Sequence, residues 1–315
     1  MPIKIPDQLP ALSVLASENI FVMSDHRAAN QDIRPMQVAI LNLMPNKIET
    51  EIQILRMLSN TPLQVNVELI RIHANESKHT PTEHLDAFYR LFDDIKHKQY
   101  DGLVITGAPL ALMDYEQVTY WDKICEVFDW AKDNVTSTLY SCWAAHAAMY
   151  YYHRIKLRLR EQKLSGVFMH QTLEPTEPLI RGFDSQFEVP HSRYGQIAID
   201  HYLAQPDLQV LASSEEGGAY IVASKDRRQV FLTGHPEYDA TTLAEEYQRD
   251  VNAGIEVAIP EHYFIDNDPN KEPRCNWRSH GCLLFTNWLN YYVYQITPYQ
   301  LDSDHMSPSG FTFEQ

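Results

Sequence analysis

Residues 136–149, TSTLYSCWAAHAAM, read as a β-strand that runs straight into an α-helix with Cys142 at the joint. The first half is strand-like, and the stretch from Trp143 to Tyr152, rich in Ala and aromatic side chains, is a compact helix lying under a core. No loop residues separate the two. Such a junction forces a sharp turn that exposes the Cys142 side chain above the carboxyl edge of a sheet. Two advantages follow for a thiol there: a helix N-terminus favours the thiolate, and the backbone N–H of Trp143 can point at an oxyanion. The alternative is a small core thiol among apolar neighbours.

Toward the N-terminus, residues 36–44 (MQVAILNLM) form a nearly continuous apolar run between Pro35 and Pro45, the pattern of a strand buried on both faces. A polar lead-in precedes it. Residues 47–58 carry Ile48, Ile52, Leu55, Met57 and Leu58 with charges between, an amphipathic helix. An alternating run over 65–72, a helical pattern over 82–95, a buried-type strand over 102–106 and a helix over 118–130 lead up to the Cys142 strand. Beyond it, residues 164–230 turn to Pro, Gly and alternating β-formers, which predicts hairpins or a β-rich insertion. A strand over 230–233, an N-cap at Asp239, a helix over 243–251 ended by Gly254, and an aromatic-rich helix over 282–294 complete the pattern. This alternation predicts an α/β fold with a mostly parallel sheet and helices on both faces. Residues 1–301 read as a single domain with a β-rich elaboration at 164–230, and 302–315 as a poorly ordered tail.

The chain has 315 residues, 44% of them hydrophobic, enough for a substantial core. Its 26 basic and 42 acidic residues give a formal charge of −16, which argues against nucleic acid and anionic membrane surfaces as partners. An anionic substrate needs a local cluster of Lys and Arg. No secretory or organellar leader pattern opens the chain and no run of roughly eighteen apolar residues occurs, so a cytoplasmic location is expected. Its four cysteines then read as thiols.

His235 lies in Gly234-His235-Pro236-Glu237, just past the strand VFLT and therefore on the same carboxyl rim as Cys142. A histidine there can accept the thiol proton, and a carboxylate two residues on can orient the imidazole. His146, one helical turn after Cys142, is a competing base, but an elbow side chain points away from the helix it precedes. Cys275, His280 and Cys282 cluster in sequence without the spacing or ligand count of a zinc site, so no metal is expected. With only 11 glycines and no Gly-rich phosphate loop, a nucleotide cofactor is not expected either.

The segments LNLMPNKIETE, DGLVITGAPL, STLYSCWAAHAA, KLSGVF, PHSRY, TGHPEYDATTLAEEYQRD and WRSHGCLLFTNWLNYYVYQITPY, in this order, resemble the homoserine O-succinyltransferase family of methionine biosynthesis. The resemblance runs from about Pro2 to Leu301. It implies a flavodoxin-like fold similar to class I glutamine amidotransferases, and transfer of an acyl group from coenzyme A to the hydroxyl of L-homoserine. It further implies a ping-pong mechanism with Cys142 as acyl carrier, His235 as base and Glu237 as its support. Lys47 with the Trp143 N–H would form the oxyanion site, and Lys163, Ser192 and Arg249 would bind homoserine. A guanidinium suits the amino-acid carboxylate because its planar fork binds it bidentately. Glu246, three residues before Arg249, could receive the substrate amine on spacing alone. Acyl-CoA is the co-substrate, no further cofactor is implied, and a homodimer is suggested.

One position departs from the family pattern. At 111, just after GAPL, Gly goes with succinyl and Glu with acetyl transfer, whereas this chain has Ala111. An added methyl brings no negative charge to repel a succinyl carboxylate, so succinyl-CoA is expected, with acetyl-CoA as the alternative. Two other readings are a glutamine amidotransferase-like hydrolase, which would call for a GxCxG elbow where this one reads SCW, and a non-enzymatic binding module. The latter has no use for Cys142, His235 and Glu237 together.

Overall fold

In the computed structural model, residues 3–6, 8–18, 23–24, 35–73 and 79–297 are described; the tail expected over 302–315 lies outside them. The first central strand, β3 (Met36–Leu41), splits its side chains between two cores: Val38 and Ile40 pack on one side of the sheet, Ala39 and Leu41 on the other. That two-sided burial explains its unbroken apolar run. Strand β4 (Val65–Arg71) flanks it on one side and β6 (Tyr100–Ile105) on the other, followed by β7 (Val135–Ser141) and β12 (Gln229–Leu232), all parallel. The order β4-β3-β6-β7-β12 is the flavodoxin-like arrangement, which places the carboxyl ends of β3, β6, β7 and β12 along one rim.

Helices cover both faces. Helix α2 (Lys47–Leu58), with α9 (Arg278–Asn287) and a π-helix (Trp288–Tyr294), buries Leu55, Leu58, Leu284, Phe285 and Trp288 on the first face. Helices α5 (Trp121–Asn134) and α6 (Trp143–His153) cover the second. In α6 the buried alanines 144, 145, 147 and 148 let the helix lie close on the sheet. Four further strands extend the sheet antiparallel beyond β12: β11 (Gly218–Ser224), β10 (Leu208–Ser214), β8 (Arg158–Thr172) and β9 (Gln186–Gln196). Helix α7 (Ile199–Leu203) joins β9 to β10, and α8 (Thr242–Asn252) follows β12.

Four expectations are corrected. The polar lead-in contains β1 (Ile3–Ile5), α1 (Ala11–Ser17) and β2 (Met23–Ser24), because Ile5, Leu9, Ala11 and Leu15 are buried in the first core and β1 pairs with β4. The helix expected over 82–95 is interrupted. After α3 (Thr82–Phe88), β5 (Tyr89–Leu91) pairs with β4 and sends the Tyr89 hydroxyl to the Glu51 carboxylate at 2.6 Å, and α4 (Phe92–Ile95) follows. Tertiary pairing overrides the local period there. Asp239 does not cap α8, whose N-cap is Thr241; Arg56 donates to the Asp239 carboxylate at 2.8 Å instead. The last helix starts at Arg278, ahead of the expected Cys282, and widens into the π-helix.

The start of α9 presses on the loop that carries His235. A Cβ on Gly281 would stand 2.7 Å from the carbonyl oxygen of Pro236, a backbone atom with little room to yield. Gly281→Ala is expected to lose about 1–3 kcal/mol in a urea melt. It should also lower kcat, since the displaced residue lies between His235 and Glu237; unchanged stability and kcat would show that this contact is slack.

Candidate active site

Cys142 occupies the N-cap of α6 with φ 48° and ψ −110°, a backbone conformation outside the ordinary regions for a side-chain-bearing residue. Such strain costs about 1–3 kcal/mol and persists only where the surroundings enforce it. The Cys142 N–H donates to the Leu232 carbonyl of β12 at 2.7 Å, and the Cys142 carbonyl accepts from the His146 N–H at 3.2 Å, starting the helix. Gly107, just past β6, leaves room for the turn: a Cβ there would stand 3.3 Å from Cys142 Cβ.

His235 follows β12 by two turn residues, with its N–H donating to the Pro190 carbonyl at 2.8 Å. Its Nδ1 is 2.8 Å from Glu237 Oε1, and both side chains are buried. Nε2 is thereby left free of Glu237, and Cys142 acts on the ring as a neighbouring negative group. Burial alone would lower the imidazole pKa. The charges of Cys142 and Glu237, with their hydrogen bonds, outweigh burial and hold it well above its ordinary value. Such an array keeps a proton on the imidazole near the Cys142 sulfur, an arrangement suited to nucleophilic catalysis.

The Tyr238 ring stacks on His235 at 4.2 Å, and its hydroxyl donates to Glu246 Oε1 at 2.9 Å. On the other oxygen of Glu246, Lys163 Nζ donates at 3.1 Å and the Ser192 hydroxyl also donates. Burial would raise the Glu246 carboxyl, but Lys163, the Ser192 hydroxyl, His235 and Tyr238 prevail and lower it. The structure thus brings Lys163 and Ser192 together on one carboxylate coupled through Tyr238 to His235. Tyr238 was missed in the sequence reading, although it stands next to Glu237 in HPEYD. Arg249 lies on the same helix as Glu246, is 65% exposed at its side chain, and pairs with Asp250 at 2.7 Å.

Lys47 is buried at the carboxyl end of β3, where Nζ donates to the carbonyls of Asn42 and Met44 and lies 5.8 Å from the centre of the Tyr89 ring. Ala111 lines a cavity of about 150 Å³ whose wall includes Trp143, the residue after Cys142, with Tyr115, Lys156, Asp114 and Glu116. His146 is fully enclosed; burial, with Arg193 adding, lowers it to about 3, so it is neutral and poorly suited to act as base. Cys275 is exposed, His280 lies 3.2 Å from Asp184, and the Cys282 sulfur touches Met57.

Residues 2–299 match the homoserine O-succinyltransferase family. A homoserine O-succinyltransferase from Pseudoalteromonas atlantica is 61% identical over 303 residues, covering 96% of this chain and 98% of the relative. One from Tolumonas auensis is 57% identical over 314 residues and covers both chains fully. The chain belongs to the homoserine O-succinyltransferase family. As a member it is an enzyme, a transferase of the kind that serves methionine biosynthesis. Among solved structures, a glutamine amidotransferase from Thermotoga maritima aligns with a TM-score of 0.52 at 13% identity, covering 82% of this chain and 98% of that one. Another from Methylobacillus flagellatus gives 0.50 at 11%, covering 82% and 95%. At that identity the likeness concerns the fold alone, and it agrees with the class I amidotransferase-like architecture expected for the family.

The buried histidines give the family fold a pH signature. Burial lowers His146 to about 3, His170 to about 4 and His191 well below its ordinary value, so all three are neutral in the folded protein. Unfolded, they take up protons below about 6.5. The unfolded state then binds more protons, and stability falls as pH drops from about 6.5 toward the folded values. His235, raised, has the opposite sign: its contribution is complete below about 6.5 and is lost as pH rises through the folded value. Glu51, raised chiefly by burial, also opposes the trend at the acid end. Urea melts at pH 7, 6 and 5 should therefore show a loss on the order of 1 kcal/mol per pH unit per histidine. A stability curve that is flat across this window would mean that these rings are not held neutral.

Proposed function

We propose that this enzyme transfers a succinyl group from succinyl-CoA to the hydroxyl of L-homoserine through a thioester on Cys142. The observation that carries the reading is the placing of the strained Cys142 turn and the hydrogen-bonded His235–Glu237 pair at the carboxyl ends of two adjacent parallel strands. Cys142 Sγ attacks the thioester carbonyl carbon; the carbonyl π bond opens and re-forms as the C–S bond to coenzyme A breaks, and the departing thiolate takes the proton held by His235. His235 Nε2 then removes the proton of the homoserine hydroxyl, whose oxygen attacks the acyl-cysteine, and the Cys142 sulfur leaves. Glu237 holds the ring in register throughout. The oxyanion of each step is assigned to the Trp143 N–H and Lys47, following the family resemblance. Homoserine is assigned to Lys163, Ser192 and Arg249, with Glu246 as the acceptor for its amine.

Succinyl is favoured over acetyl because Ala111 adds no charge to the cavity it shares with Trp143. Lys156 lines the same wall and offers a succinyl carboxylate an opposite charge; of the two acids there, Glu116 accepts the Tyr150 hydroxyl at 2.5 Å. The resemblance also leads us to expect a homodimer acting in the cytoplasm, with no cofactor or metal beyond the acyl-CoA co-substrate. Among the described residues, no helix is long and apolar enough to cross a membrane.

Incubation with succinyl-CoA in the absence of homoserine, followed by intact mass, should give one succinyl adduct that is missing in Cys142→Ala. Absence of an adduct with both succinyl-CoA and acetyl-CoA would rule out the covalent mechanism. Ala111→Glu is expected to move the ratio of kcat/KM values toward acetyl-CoA by about tenfold or more, a difference of roughly 1.4 kcal/mol. An unchanged ratio would remove position 111 from donor selection.

A further inference from the structure

A formal charge of −16 sets a requirement for the donor proposed above: acyl-CoA is polyanionic through its 3′-phosphate and diphosphate, so cations gathered in one place must receive it. Residues 154–160 gather them. Arg154, Lys156, Arg158 and Arg160 stand at alternate positions from the end of α6 into β8. Acids outnumber bases 42 to 26 in this chain, and exposed cations elsewhere are taken up by them: Lys96 and Lys123 share Asp93 and Glu126, and Lys98 holds Glu68. Among the described residues none of the four cations in this run pairs with a carboxylate. Arg160 donates to the side-chain oxygen of Gln196, a neutral partner.

The ladder explains where these side chains go. Arg158 and Leu159 pair with Gln196 and Gly195 of β9, and the register then shifts before pairing resumes at Leu164. The bulged stretch between them leaves the ladder and becomes a wall shared by two cavities. On one side Arg158, Arg160 and Gln196 line a cavity of about 520 Å³. On the other, Lys163 lines one of about 460 Å³ with Tyr247 and Asp250, the side assigned above to homoserine. Glu161 is the acid in the arginine wall, one carboxylate against two guanidinium groups.

The arginine cavity also adjoins the cavity of Ala111 and Trp143, because Leu159 lines both. Trp143 directly follows Cys142. Leu112, Met113 and Leu159, three exposed apolar side chains, all line the Ala111 cavity. Exposed apolar groups gathered beside a row of cations mark a binding surface for a ligand of matching amphipathic order. Acyl-CoA has that order: a thioester, a thin partly apolar arm, and phosphates at the far end.

We propose that Arg158 and Arg160 form the subsite for the phosphorylated nucleotide end of acyl-CoA, with Leu112, Met113 and Leu159 as the apolar track for the arm that leads to Cys142. The proposal rests on acyl-CoA being the donor. Arginine suits the task because its planar fork binds phosphate oxygens bidentately.

Titration calorimetry of free CoA into the full-length enzyme tests it, with adenosine 3′,5′-bisphosphate as the probe of the nucleotide end and inorganic phosphate as the control anion. Wild type should bind CoA, and the bisphosphate should displace it. Arg158 is exposed, so Arg158→Gln is expected to fold and to weaken CoA about fivefold. Adding Arg160→Gln should bring the loss to about tenfold or more. A double variant, folded by circular dichroism, that binds CoA as wild type does overturns the proposal. Displacement of CoA by inorganic phosphate at the same concentration as the bisphosphate also overturns it, reducing the arginines to a general anion patch. Binding is read without turnover, so the two readings fail separately. CoA affinity unmoved by the variants, together with a succinyl adduct on wild type, removes the subsite alone; arginine-dependent CoA binding without an adduct removes only the Cys142 thioester.

Discussion

Everything at the site depends on a single strained joint, the positive-φ backbone of Cys142 between β7 and α6. A strand and a helix can be joined without a loop only if one residue absorbs the change of direction. Here that residue is Cys142, the proposed nucleophile. Parallel pairing enforces the strain: β12 lies beside β7 in register, Ser141 opposite Leu232, and the Leu232 carbonyl takes the Cys142 N–H at 2.7 Å. The strand that sets the turn also delivers His235 directly afterwards. Register between two strands thus fixes both the turn at Cys142 and the placing of His235, and a slip of one residue would destroy the two together.

The chain's net charge of −16 suggests a molecule ill suited to anionic acyl-CoA, yet the interior around Cys142 has the opposite character. His235 is held protonated, Arg193 is buried without a carboxylate, and His146, His170 and His191 are kept neutral. A field of fixed positive charge in a poorly solvated space acts more strongly than the same charges on a wet surface. Neutral histidines are the cheaper lining for such a place, because each extra imidazolium would repel Arg193. The acids that do enter are engaged: Glu237 by His235, Glu246 by Lys163, Ser192 and Tyr238.

The elbow and the histidine loop were legible in sequence because both are local: a strand meeting a helix, and a loop at a strand's carboxyl end. Sheet layout then brings them together without further information. Lys163 and Ser192 had no such signature and came into view only through family resemblance. Lys163 stands 83 residues and Ser192 54 residues from Glu246, and they meet only because β8 and β9 extend the sheet antiparallel beyond β12. The missed β5 has a similar cause. Its residues fit a helical period, and the bond that draws Tyr89 out of it ends on Glu51, 38 residues away. Arg193 escaped notice for a different reason: a lone arginine in a strand looks like a surface residue until its burial is known.

Glu246 shows how the substrate side and the nucleophile side can be tuned together. Its Oε1 accepts from Tyr238, whose ring lies on His235, while Oε2 accepts from Lys163 and Ser192. In the proposed reading, an incoming ammonium at this carboxylate would compete with Lys163 as well as with the Ser192 and Tyr238 hydroxyls. Lys163 also lies 3.6 Å from Asp250, whose other oxygen accepts from Arg249 at 2.8 Å, so the lysine has a second, shared carboxylate beside it. Because Tyr238 joins the same acid to the His235 imidazole, a shift of Glu246 would move the ring that lies on the face of His235. If Glu246 receives the acceptor's amine as proposed, recognition of the acceptor and orientation of His235 are one packing problem, met at one carboxylate.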